Sequence, residues 1–422
     1  MAAALQHPSA VIPAAELLAR RPARLFSCGP ADGTRLPRLA GPTHVASASA
    51  YSERGVPPLA WSHIAVGMML VRGGRRATLE ARLLERARTT WMAQVPQLEM
   101  LLLVSCVNAK GEGAARGPKP AAGPTEWLHT FISSPGVPSQ VRWRCYLGID
   151  RLGRSLWRKT AALFQQLLQE FPGKEFYLKM DSDAMMFPRP LIRFLEYIRT
   201  STPPGFPLYF GNNRIADRSK FCLFKSCLLR SEPWLALARN QTSLAGDAVP
   251  QRLRGEASYA QGGFYGLNRV ALELMNQGAC MDSVATAVDR HRKGVQLFED
   301  ETVGLCMYLH NVPLVTCSCF YDWGPCDIGN TSSCRADTSE TKLCRLPLSV
   351  HKLKELSWYD GWWRFLSERE GEGLRELNEW ESSQRQHATQ KKAVRLARSH
   401  HGLHEHSYAN IRHYSSRGMV KQ

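Results

Sequence analysis

The chain has 422 residues, 44% hydrophobic and 22% charged, enough for one large domain or two medium ones around a real core, which excludes a chain disordered throughout. Its net charge of +17 points to an anionic partner (nucleotide phosphates, nucleic acid, acidic glycans or a membrane face) or to a solvated basic surface with basic tails. The longest apolar runs, "IAVGMMLV" and "MLLLVSCV", fall far short of the ~18–20 residues of a membrane span, and the Arg-bearing N-terminus has no apolar signal core.

In chain order, residues 1–60 are rich in Ala, Pro, Arg and Ser without sustained periodicity, and read as a disordered leader or stem. "SHIAVGMMLV" then predicts a buried strand, "TLEARLLERARTTWMAQV" a helix and "LEMLLLVSCV" a second strand. Residues 109–140 are Gly, Pro and Ala rich, as in a surface insertion. "RWRCYLGI" is a strand and "SLWRKTAALFQQLLQEF" an amphipathic helix; the strand "EFYLKM" follows, ending at Asp181. "PLIRFLEYI" continues as helix and "PLYFGNN" as strand. This alternation predicts an α/β fold with a mainly parallel central sheet and flanking helices. "AQGGFYGLN" reads as a turn before a helix starting near Arg269, or as a place where Gly262 and Gly263 let the backbone approach a ligand. From about residue 366 the chain is polar, and it ends in a basic, His-rich tail.

Cysteines 317, 319, 326, 334 and 344 crowd one segment without a C-x2-C knuckle, so a disulfide-laced loop in an oxidising compartment fits better than zinc. Sequons at Asn240 and Asn330 agree with it.

Asp181 and Asp183 close a buried strand. In an extended chain, residues two apart share a side, so the pair can grip one Mn2+ or Mg2+; the plainer reading is a strand-end cap and an exposed turn. Glu299, Asp300 and Glu301 open a helix, where acids suit the macrodipole, or where one of them is a general base. His351 follows an apolar strand as a structural histidine or as the imidazole that completes a metal site.

The order of these pieces carries more than any one of them. "RARTTW", a helix with Lys159 leading into "FYLKMDSD", then "LYFGN", "YAQGGFYGLNRVALELM", "FEDETVGLCMYLHNV" and a Cys-flanked "LSVHK" resemble the Fringe-like and core 1 β1,3-galactosyltransferase group of β1,3-glycosyltransferases, over roughly residues 61–365. The resemblance implies a GT-A (Rossmann-like) glycosyltransferase domain over 61–365. It implies inverting transfer from a UDP-sugar to a glycan or glycoprotein hydroxyl. Asp181 and Asp183 would bind Mn2+ and the donor diphosphate, with His351 contributing to the metal site. Gly262 and Gly263 would line the donor and acceptor pocket, and Asp300, or else Glu299, would be the catalytic base. Ser182 stands where members often carry another Asp, and "EDET" matches neither common form of the acidic motif. Arg75 or Arg76 is placed by position to touch the nucleotide. A Golgi or secretory-pathway location with membrane anchoring follows from the family, which also admits a homodimer. Nucleic acid has no motif in its favour. The rivals are a haloacid dehalogenase-type phosphatase using the Asp-x-Asp pair and a glycan-binding relative without turnover.

Overall fold

The computed structural model describes residues 28–30, 57–70, 74–106, 124–147, 156–202, 204–215, 258–291, 298–310, 312, 314–317, 319–321 and 346–379, with scattered residues to 390. Both sequons, most of the Cys-rich segment and the side chains of Arg75 and Arg76 lie outside the described residues. The chain divides into two compact units, Met1–Glu370 and Gly371–Gln422. Residues 371–379 of the second are helical.

The first unit begins with β1 (Cys28–Pro30), β2 (Ile64–Leu70), α1 (Gly74–Thr89) and β3 (Glu99–Ser105). Then come α2 (Pro124–Ile132), β4 (Gln140–Tyr146), α3 (Leu156–Glu170), β5 (Phe176–Asp181) and β6 (Met185–Met186). α4 (Pro188–Ser201), β7 (Tyr209–Ile215), β8 (Ser258–Asn268), α5 (Arg269–Asn276) and α6 (Cys280–His291) follow. The last elements are α7 (Glu299–Leu309), β9 (Leu314–Cys317), β10 (Phe320–Tyr321), β11 (Ser349–Val350) and a helix over 356–370.

The architecture is the expected one: an α/β fold with a mainly parallel sheet covered by helices. The sheet has eight strands in the order β1-β9-β7-β8-β5-β2-β3-β4. β4, β3, β2 and β5 are mutually parallel, and β8 lies antiparallel between β5 and β7. β2 is the pivot. The chain steps outward from it to β3 and β4, then returns to its other side as β5. Its seven residues are all buried, which is why the run is apolar on both faces, whereas β4 alternates toward solvent at the sheet edge. α3 buries Trp157, Leu163, Phe164 and Leu167 in the core. From the same helix Lys159 Nζ donates to the Leu70 carbonyl at 2.6 Å and to Ser105 Oγ at 2.5 Å.

Two segments differ from expectation. The Gly-Gly stretch is no turn: it lies inside β8, whose backbone pairs with β5 on one side and β7 on the other. The two glycines themselves fall between the paired stretches, beside the register shift opposite Gly211–Asn213, where glycine marks a bulge or a close approach of another group. Part of the supposed surface insertion is α2, held by buried Leu128 and Phe131. Its local composition of Gly, Pro and Ala masks an amphipathic turn that is stable only once packed on the core.

A second, three-stranded sheet has the order β10-β11-β6. Ser349 pairs with Met186 and Val350 with Met185, and the Leu353 amide donates to the Asp183 carbonyl at 2.9 Å. That small sheet ties the segment after residue 345 to the turn that follows β5. The Phe187 ring stacks on Trp363 at 5.3 Å, fastening the 356–370 helix behind the same turn.

Candidate active site

Asp181 is the last residue of β5 and pairs with Met69 near the end of β2. This is the carboxyl edge of the sheet, beside the strand where the order reverses, the place where open α/β sheets bind ligands. Asp183 follows in the tight turn between β5 and β6, where the Ala184 amide returns to the Asp181 carbonyl at 3.1 Å. His351 leaves β11 with its amide on the Tyr321 carbonyl at 2.8 Å. The small sheet thereby aims its ring at the two acids. His351 Nε2 stands 3.3 Å from Asp181 Oδ2 and 3.2 Å from Asp183 Oδ1.

One ligand atom from each of Asp181, Asp183 and His351 falls within 4.8 Å of the others, and each residue is partly buried. Two carboxylates and an imidazole fit a divalent ion. The carboxylates suit Mn2+ or Mg2+, and the nitrogen tilts the set toward Mn2+, since Mg2+ takes oxygen ligands.

Gly263 is where the His351 ring crosses β8: a Cβ there would lie 2.1 Å from the ring. Gly262 plays the same part for Glu299, whose carboxylate oxygens would stand 2.8–2.9 Å from an added Cβ. Phe264 pairs with Met180, so the two glycines run alongside the end of β5.

The three acids at the start of α7 separate into three roles. Glu301 accepts from the Phe298 amide at 3.2 Å and caps the helix. Glu299 is buried and accepts from Lys179 Nζ at 2.7 Å. Asp300 accepts from the Gly262 amide at 3.0 Å through Oδ2 and from the Glu301 amide at 2.9 Å through Oδ1. Burial and the neighbouring Glu299 charge push the Asp300 carboxyl up to about 8, against the Glu301 amide and Lys179. A carboxyl so shifted is a stronger base near neutral pH than an ordinary aspartate.

Lys179 is the residue that sequence reasoning passed over. It sits in the middle of β5, 1% exposed, and donates to Asp181 Oδ1 at 2.7 Å, to Glu299 and to the Gly262 carbonyl. Burial works against its charge, but the carboxylates of Asp181 and Glu299 outweigh that and hold the ammonium above its ordinary value. Burial would likewise raise Asp181, yet Lys179 and His351 hold it below the usual carboxylate range. The signal was present in the sequence: a lone Lys in an apolar strand, two residues before Asp181 and so on the same face.

Asp181, Asp183, Gly262, Gly263, Glu299, Asp300 and His351 therefore lie in one neighbourhood, while the side chains of Arg75 and Arg76 lie outside the described residues. Asp181, Asp183 and His351 form the ligand cluster, and Glu299 and Asp300 are joined to it through Lys179 and Gly262. No protein-family model matches the chain, and no curated protein does. Among solved structures it is similar to mouse xyloside xylosyltransferase 1 in its apo form, with 14% identity and a TM-score of 0.35, covering 68% of this chain and 97% of that one.

Proposed function

We propose that the chain is a GT-A glycosyltransferase that moves a sugar from a UDP-sugar to a glycan or glycoprotein hydroxyl with inversion, forming a β1,3 linkage. The observation that carries this is the meeting of Asp181, Asp183 and His351 at the reversal point of the sheet, with Asp300 one Gly262 contact away from Lys179. A divalent ion, if held there, would supply positive charge to the departing diphosphate. Asp181, Asp183 and His351 would hold it. Asp300 takes the proton of the acceptor hydroxyl as that oxygen forms its bond to the anomeric carbon. The bond from that carbon to the phosphate oxygen breaks, and UDP leaves with the electron pair.

The phosphatase reading needs Asp181 as a free nucleophile. Here its Oδ1 accepts from Lys179 and its Oδ2 faces His351, an arrangement that suits a cation ligand. Disulfides Cys106–Cys145 and Cys280–Cys306 support a lumenal, secretory-pathway setting such as the Golgi. Cys319 is also disulfide-bonded. Among the described residues no helix is long and apolar enough to cross a membrane.

The test is Mn2+-dependent UDP release from a panel of UDP-sugars, first into water and then into glycan acceptors. Acceptor-stimulated release that Asp183→Ala abolishes supports the reading. Hydrolysis of a generic phosphate ester with Mg2+, and no UDP release from any donor, would replace it with the phosphatase.

A further inference from the structure

The ammonium of Lys179 has three donors, and three elements supply its acceptors: Asp181 Oδ1 from β5, Glu299 Oε1 from α7 and the Gly262 carbonyl from β8. The Tyr265 ring lies 5.6 Å away as a fourth wall. Glu299 reaches this point only because position 262 carries no Cβ. A buried charge is tolerated when it is paired and its hydrogen bonds are filled, and here both conditions are met.

Two consequences follow for the neighbouring carboxylates. Asp181 is held by one oxygen on Lys179, which turns its other oxygen toward His351 and the ligand cluster. Glu299 is 4% exposed and commits Oε1 to Lys179, so an incoming hydroxyl does not reach it, whereas Asp300 is half-buried beside it.

We infer that Lys179 is a positioning residue that aims Asp181 into the cation site, and that Glu299 is its counter-ion and not the proton acceptor. This rests on the donor-site reading above. The acidic segment is thereby divided between two sides of the site, with Glu299 steadying the cation side and Asp300 serving the acceptor side.

The test uses the full chain and Mn2+ alone, titrated at equilibrium, alongside acceptor-dependent UDP release and thermal melting. Removing one partner of a buried pair leaves the other charge uncompensated and is strongly destabilising, so Lys179 and Glu299 are exchanged together as K179M/E299L, which puts an apolar contact in place of the pair. This variant leaves the Gly262 carbonyl and Asp181 Oδ1 without their donor, so it is expected to fold but to melt below the wild type, and to bind Mn2+ about 10–100-fold more weakly, as for lost supporting partners of metal ligands. A folded K179M/E299L with wild-type Mn2+ affinity overturns the inference. Should that variant not fold, Glu299→Gln decides. It leaves Lys179 on Asp181 and Gly262, and its UDP release is expected to fall less than about tenfold, where loss of a general base costs about 10²–10⁴-fold. A loss in the latter range makes Glu299 the base and overturns the inference. A wild-type chain that binds no Mn2+ overturns the donor-site reading itself and this inference with it; wild-type binding with an indifferent K179M/E299L overturns this inference alone.

Discussion

Substituting Gly263 by Ala tests the cation site from its least obvious side. Its φ is not in the left-handed region, so the backbone accepts Ala and the whole penalty comes from His351. The new Cβ would stand 2.1 Å from His351 Cγ and Nδ1 and 2.6 Å from His351 Cβ. Carbon atoms rest at about 3.5–4.0 Å, so the ring must retreat by roughly 1.5 Å. Metal–ligand distances tolerate only about 0.2 Å, so such a retreat takes Nε2 out of the ligand set. Mn2+ affinity should fall by at least about 100-fold, the upper end of what a disturbed supporting shell costs. The assay is Mn2+ titration of wild type, G263A, H351A and the double variant, with melting curves as the control for folding. Because Gly263 acts only through the ring, the double variant should bind no more weakly than H351A alone, a failure of additivity expected for residues in contact. Wild-type Mn2+ affinity in a folded G263A, or two losses that simply multiply, would refute the reasoning.

Further outcomes follow from the same geometry. With Asp300 pushed up to about 8, its ionised fraction grows through that pH, so acceptor-dependent UDP release should climb up to about pH 8 and then level off. Asp300→Asn should lower it by about 10²–10⁴-fold above pH 8, by progressively less below it, and remove the climb from the pH profile. The sign for stability is the reverse. The folded form keeps this proton to about pH 8, whereas an unfolded aspartate releases it near ~3.9. Melting temperature in a chelator should therefore fall with rising pH across that window more steeply in wild type than in D300N, and parallel curves would refute the shift. Cys280 and Cys306 close a loop with a sequence separation of 26 between α6 and α7, so C280A/C306A should lose about 3.5 kcal/mol by denaturant unfolding. Lys159→Met removes the donor to the buried Leu70 carbonyl and should cost about 1–3 kcal/mol in the same assay.

The core strands were legible because burial on both faces of a parallel strand leaves an uninterrupted apolar run. "IAVGMML" and "EMLLLVS" became β2 and β3, and "FYLKMD" ended at its acid as expected. The covering helix α3 showed itself through its apolar spacing; Thr160, Phe164 and Leu167 are buried as that spacing implies, but Trp157, Lys159 and Leu163 are buried with them while Leu156 and Leu168 are only partly so. The Asp-x-Asp pair, the acidic segment and His351 were legible as residue types in an order. β8 was not legible as a strand, because Gly262 and Gly263 have no strand preference of their own and the residues on either side of them are held by pairing with the distant β5 and β7.

By itself, then, the sequence determined an α/β chain whose apolar runs end on carboxylates, since burial and its periodicity are local properties written into each segment. Only the tertiary structure decided which carboxylate does what. Glu299, Asp300 and Glu301 are neighbours in sequence and chemically alike, yet one meets Lys179 from β5, one the Gly262 amide of β8 and one its own helix start. Those partners lie as far as 120 positions apart along the chain. The charge state and role of an acid depend on what surrounds it in space, and no local pattern encodes that.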